Sequence, residues 1–160
     1  MEEQKKFLPI GNLINELGFV TTINKNFSDQ NLSGILGLNA NCKYGKNYPD
    51  KLIVVNGNDN VSHQRLTVAH ELAHYIFDTI DGQEYYEAYY IANKNQDNVI
   101  REYRANKFAA NLLMPALIFI KQYQLISSAV DNKDITAAIL AQDFAVSITA
   151  VKKRIKELDL

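Results

Sequence analysis

Cysteine is almost absent from this chain of 160 residues: Cys42 stands alone. A lone thiol excludes an internal disulfide framework and cannot by itself build a cysteine-ligated metal cluster. An excess of charge is lacking too. The chain carries 17 basic and 18 acidic residues, a formal net charge of −1, so no global field favours nucleic acid or an anionic membrane. No stretch approaches the roughly 18 consecutive apolar residues of a membrane span. The opening Met1-Glu2-Glu3-Gln4-Lys5-Lys6-Phe7 lacks the basic start and apolar run of a secretion signal. A cytoplasmic location is the expectation. What remains is 47% hydrophobic residues in a length that suits one compact domain.

Histidine is scarce as well, and its placement is informative. Two of the three histidines, His70 and His74, flank Glu71-Leu72-Ala73 in a His-Glu-x-x-His pattern. At this spacing on a helix both imidazoles leave one face, a turn apart. Their nitrogens can close on one zinc ion at about 2.0–2.1 Å. Glu71, one step round the helix, can reach a water at the metal without ligating it and is the candidate catalytic base. A structural explanation competes, because Leu66, Ala69, His70, Ala73, His74 and Phe77 step by threes and fours as a buried stripe. Two imidazoles and a carboxylate fit such a stripe poorly: an unpaired buried polar group costs roughly 1–3 kcal/mol, and a charge more. By average composition the pattern arises by chance in under about 1% of chains this long, which favours the metal.

Around this helix the pattern predicts an α+β chain. Residues 8–17 read as a short helix with Leu13, Ile14 and Leu17 inward, stopped by Gly18. A short strand is expected at 19–23, and strand-like segments at 34–38, 42–44 and 51–56 predict a small antiparallel sheet. Leu52-Ile53-Val54-Val55 is apolar on both faces and marks the strand nearest the core. Ser62 is the expected N-cap of the histidine helix, and Gly82 its stop. Tyr85, Tyr86, Tyr89 and Tyr90 read as half-buried against the body of the domain rather than as a recognition surface. Asp97 or Asn98 is expected to cap a second strong helix that Pro115 stops after Leu113. Its buried stripe, Ala105, Phe108, Ala109 and Leu112, continues one turn back to Glu102, and a carboxylate there calls for a cation. Asn106, on the same face, is placed to hydrogen-bond a ligand from behind. A short helix at 116–123 and a pair at 135–144 and 147–158 close the chain, with Ile135, Ile139, Val151, Ile155 and Leu158 inward.

Zinc bound through His-Glu-x-x-His needs one further protein ligand and keeps a fourth position open. The metzincin continuation requires Gly three residues, and His or Asp six residues, after the second histidine. Phe77 and Ile80 stand there, so that class is excluded. His63 lies nearly two turns up the helix, too far to share the metal. Glu102, from a separate helix, completes the two-histidine, one-glutamate set of thermolysin-like sites and ranks ahead of Glu87 and Asp78.

Two segments carry a resemblance to the ImmA/IrrE family of zinc metallopeptidases. They are Arg65-Leu-Thr-Val-Ala-His-Glu-Leu-Ala-His-Tyr-Ile76 and Glu102-Tyr-Arg-Ala-Asn-Lys-Phe-Ala-Ala-Asn-Leu-Leu-Met-Pro115. Ser33-Gly-Ile-Leu-Gly37 and Ile53-Val-Val-Asn56 resemble that family's strands, and residues 140–158 its closing helix pair. Arg104 departs from the pattern, standing where the family often carries Glu or Gln. The resemblance implies a gluzincin-type site with one Zn2+ on His70, His74 and Glu102, and Glu71 as catalytic residue. The resemblance covers roughly residues 33–160, and one domain is expected over 1–160: helix and small sheet at 1–60, zinc-binding helices at 61–115, C-terminal helices at 116–160. Family members are commonly encoded on bacterial chromosomes, prophages or integrative elements, beside a helix-turn-helix repressor that they cleave or help to clear. The implied substrate is therefore such a repressor, or an antitoxin-like partner.

The chemistry expected of these residues is peptide-bond hydrolysis. Zinc lowers the pKa of its water toward about 7, and Glu71 takes the proton and returns it to the leaving amine. A side-chain donor, Tyr103 or one of the 85–90 tyrosines, assists the oxyanion. Strands before residue 56 offer an edge to an extended substrate. The rival is a DNA-binding or repressor-binding regulator with a structural metal and no proteolysis. Residues 135–158 have the helix-turn-helix shape, with Lys152, Lys153, Arg154 and Lys156 as a basic face. In a near-neutral chain the helix pair is expected to pack against the body, and direct nucleic-acid binding is not expected.

Overall fold

Four consecutive apolar residues tolerate a strand position only where both faces are covered. Leu52-Ile53-Val54-Val55 accordingly lies in the central strand of the sheet. The computed structural model describes residues 7–27, 32–39, 47, 49–80 and 96–160. Its elements are α1 (Ile10–Glu16), β1 (Phe19–Asn24), β2 (Gly34–Leu38), β3 (Lys51–Asn56), α2 (Val61–Ile80), α3 (Gln96–Leu113), α4 (Ala116–Ala129), α5 (Lys133–Phe144) and α6 (Ile148–Glu157). Together they make the α+β fold with a C-terminal helix pair that the sequence predicts. The expected strand at 42–44 and the tyrosines at 85–90 lie outside the described residues. The chain divides into two compact units, Pro9–Ala109 and one built around Ala110–Leu160.

In the first unit the sheet order is β1-β3-β2. It is mixed, not wholly antiparallel as expected. β2 runs antiparallel to β3, pairing Gly34 with Val55, while β1 runs parallel to β3, pairing Phe19 with Lys51. Only strands joined by a tight turn are obliged to be antiparallel. The connection after β1 instead carries the chain across to the far side of β3. α2 packs on β2 and β3, over the fully buried Ile53 and Val55. In α1 the inward residues are Ile10 and Ile14, whereas Leu17 is exposed, since it follows the last helical residue.

The start of α2 is fixed by the turn after β3. Asn58 N–H and Asp59 N–H donate back to Asn56 Oδ1 and O, and the Gln64 amide donates to Asn56 O and Asp59 O. The N-cap is Asn60, not Ser62: His63 N–H donates to Asn60 Oδ1 at 3.0 Å. Both residue types cap well, and the turn decides between them. From Thr67 to His74 every residue but His70 is buried. α3 begins at Gln96, ahead of the expected caps Asp97 and Asn98. It buries Ala105 and Ala109 completely and stands Phe108 edge-on to Phe77 at 5.6 Å. Further on it is Leu113, not Leu112, that is fully buried.

In the second unit α4 runs past the expected end at 123 through Ser127 and Ser128. Their hydroxyls donate back to Gln124 O and Leu125 O, so they do not compete for the helical backbone. Asn132 caps α5 by accepting from Asp134 N–H and Ile135 N–H. The helix turns Thr136, Ala137, Leu140, Ala141 and Phe144 inward and leaves Ile135 exposed, against expectation. Phe144 stacks on Phe119 at 5.4 Å. Ala145, in the left-handed region at φ 51°, ends α5, and Ser147 caps α6 through Ala150 N–H. Among the described residues no single helix is long and apolar enough to cross a membrane.

Arg154 also differs from expectation. It is not part of an exposed basic face but is buried. Its Nε and Nη2 donate to Met114 O at 3.2 and 3.0 Å, and Nη2 to Asn111 Oδ1 at 2.6 Å. The guanidinium fork thereby satisfies a carbonyl just past the end of α3, of the kind a helix leaves unpaired. Arg154→Met keeps the volume but strands those acceptors, each worth roughly 1–3 kcal/mol. Urea denaturation of the metal-free protein should show a loss of about 2–3 kcal/mol. An unchanged midpoint would show that the fork contributes nothing.

Candidate metal centre

A helix brings residues four apart onto one face, and α2 does this for His70 and His74. Their Nε2 atoms lie 3.0 Å apart and the rings meet edge-on, 4.7 Å between centroids. Glu102, on α3, faces both: Oε2 is 3.0 Å from His70 Nε2 and Oε1 is 3.0 Å from His74 Nε2. The Asn106 side chain, one turn on, meets His70 from behind, with Oδ1 3.2 Å from Nδ1. An amide oxygen only accepts, so Nδ1 carries a hydrogen there, which leaves Nε2 as the nitrogen that could ligate a metal. Electron-rich atoms this close repel one another unless positive charge lies among them. A tetrahedral ion with bonds of about 2.0–2.1 Å holds its ligand atoms roughly 3.3 Å apart. His70, His74 and Glu102 are thus a donor set that could hold a metal ion.

The cluster opens on a cavity of about 220 Å³. Leu32, Ser33 and Gly34 form the wall on the side of β2, and His63, Leu66 and Thr67 continue it along α2. Glu71 lines the cavity beside the cluster and is 7% exposed. The two carboxyl groups are driven in opposite directions. Burial pushes Glu71 above its ordinary value, with Glu102 adding to that and the two histidines opposing it. Burial also pushes on Glu102, but hydrogen bonds and charge from His70 and His74 outweigh it and bring that group down to about 2.

Tyr103, the expected oxyanion donor, is 61% exposed. It sits with Lys107 Nζ 5.6 Å from its ring centre and is not part of the cavity wall. The side chains of the rival ligands Glu87 and Asp78 lie outside the described residues. His63 is apart from the cluster, its Nε2 3.1 Å from Ser33 Oγ. Gly34 and Thr67 escape the motif-based reading altogether. Thr67 stands four residues before Glu71, on the same face of α2, and that spacing was the available signal for it. Gly34 had none, because it reaches the site from the sheet.

The model of the IrrE N-terminal-like domain, Peptidase_M78, matches residues 20–156. The chain belongs to this family. The match takes in β1, the histidine helix and Glu102 alike, and it agrees with the metal-binding donor set, since the family is metallopeptidase-like. No curated protein matches the sequence. Among solved structures, a Mycobacterium tuberculosis transcriptional regulator is similar at a TM-score of 0.58 and 17% identity, over 91% of this chain. That likeness concerns the fold. This Peptidase_M78 chain spans 38% of the regulator's length.

The raised pKa of Glu71 has a measurable consequence. A carboxyl group whose folded pKa lies above its unfolded value adds stability below the unfolded value, and loses it as pH rises through the folded one. Gln cannot ionise, so metal-free Glu71→Gln should melt a few degrees above wild type at pH 8. The advantage should shrink toward pH 5. Equal melting temperatures at both pH values would contradict the burial argument.

Proposed function

We propose that this protein is a zinc-dependent endopeptidase acting in the cytoplasm on a helix-turn-helix repressor or antitoxin-like protein. The observation that carries the reading is the meeting of His70, His74 and Glu102 beside a buried, cavity-lining Glu71. His70, His74 and Glu102 would hold the zinc ion, and Asn106 would keep His70 in the tautomer that offers Nε2. When bound, the metal supplies Lewis acidity, acidifying water and polarising a carbonyl.

The remaining chemistry belongs to the chain. Glu71 takes a proton from a water molecule in the cavity and returns it to the leaving amine. Its raised proton affinity suits a group that must do both near neutrality. The wall formed by Leu32, Ser33 and Gly34 leads into β2, one of the two edge strands of the sheet among the described residues. An extended peptide could lie along such an edge. The repressor as substrate is supported by the family resemblance and by the name of the structural neighbour. Tyr103 is not part of this mechanism.

The regulator reading has one point in its favour, the 106° bend between α5 and α6 across a three-residue turn. Against it, Arg154 is buried and Lys152 is paired with Asp134 at 2.7 Å, which leaves a thinner basic face than DNA binding would use.

The test compares purified wild type, Glu71→Gln and Glu102→Ala for bound zinc and for cleavage of a helix-turn-helix repressor. Glu71→Gln should keep zinc and lose cleavage by about 10²–10⁴-fold. Glu102→Ala should lose zinc. Full activity in Glu71→Gln, or repressor left uncut by zinc-loaded wild type, would remove the proposal.

A further inference from the structure

We infer that Gly34 is a positioning residue for Glu71, its missing side chain forming the seat against which the Glu71 carboxylate rests. The inference deepens the peptidase reading and rests on it. A Cβ placed on Gly34 would lie 2.9 Å from Glu71 Oε1 and 3.3 Å from Glu71 Cγ, and closer still to Thr67 Cγ2. Ordinary contact begins near 3.4 Å, so at least the carboxylate and the threonine methyl would have to move.

The glycine is not required by the backbone. Gly34 lies in β2, paired with Val55, in a conformation open to any residue. Gly18 is the contrasting case, with φ +82° and nothing within 4 Å of an added Cβ. Glycine weakens a strand interior, and it is found there where another group must approach the main chain closely. Here the approaching groups are the Thr67 methyl and, beside it, the side chain of Glu71. Glu71 is thus held between Thr67, one turn before it on α2, and the main chain of β2. A glutamate free to turn about three bonds is reduced to the placement that lines the cavity. His70, His74 and Glu102 are not among the atoms nearest that Cβ, so metal binding should be untouched. Displacing a reacting group by about 1 Å can cost about 10²-fold in rate.

The experiment measures zinc-loaded Gly34→Ala against wild type on the same substrate. Expected are a kcat lower by about 10–100-fold, a KM within about threefold, unchanged zinc stoichiometry and, after cobalt replacement, an unchanged absorption spectrum. A general distortion would shift that spectrum. A readout independent of activity is the melting temperature of the metal-free protein. Gly34→Ala should cost less in a Glu71→Ala background, where the seat is empty. Should Gly34→Ala not fold, Gly34→Ala with Thr67→Ser removes the methyl group met first and carries the same comparison. Wild-type kcat with zinc bound, or an equal melting cost in both backgrounds, overturns the inference. Wild type that binds zinc but cleaves nothing sinks the peptidase reading instead, and the melting comparison then decides the seat alone.

Discussion

Contacts of 3.0 Å bind two imidazole nitrogens and one carboxylate into a single electron-rich cluster, and such a cluster is at ease only with positive charge in its midst. The rest of the first unit can be understood as the framework that enforces this meeting. α2 supplies both imidazoles from one face because its start is pinned by the turn after β3 and the Asn60 cap. α3 supplies the carboxylate one turn ahead of the fully buried Ala105. Hydrogen bonds and charge from the two histidines outweigh burial and hold Glu102 well below its ordinary value.

Two carboxyl groups at one cavity are thereby given opposite characters by their surroundings alone. Glu102 meets two histidines and stays ionised. Glu71 meets the main chain of β2 and the flank of Thr67, and burial makes it hold a proton more readily. Separating two like groups in this way is how one site can contain both a fixed anion and a proton carrier. The stabilities diverge too. The contribution of Glu102 is present above the ordinary carboxylate range and fades as pH falls toward about 2, while that of Glu71 is lost as pH rises.

How much of this was legible depended on how local the determining physics was. His70, Glu71 and His74 follow from one helix period. Glu102 and Asn106 follow from a second, because a carboxylate continuing an apolar stripe needs a partner. The strand formed by Leu52-Ile53-Val54-Val55 announced its central place by being apolar on both faces. The parallel pairing of β1 was not legible, since it is set by where the chain crosses β3 and not by any residue within the strands. Asn60 and Ser62 are equally good caps by type, and only the Asn56 turn separates them. Arg154 read as surface charge because nothing nearby in sequence reveals that Met114 O and Asn111 lie within its reach. Gly34 was silent for the same reason, as its neighbours Thr67 and Glu71 are more than thirty positions away.

The central claim is that side chains from two helices share one metal ion. X-ray absorption at the zinc edge, on protein reconstituted with one equivalent of zinc, addresses it most directly. The account predicts light-atom ligands only, with the multiple-scattering pattern of two imidazoles and at least one oxygen. A spectrum without imidazole scattering, or with a sulfur ligand, would contradict it.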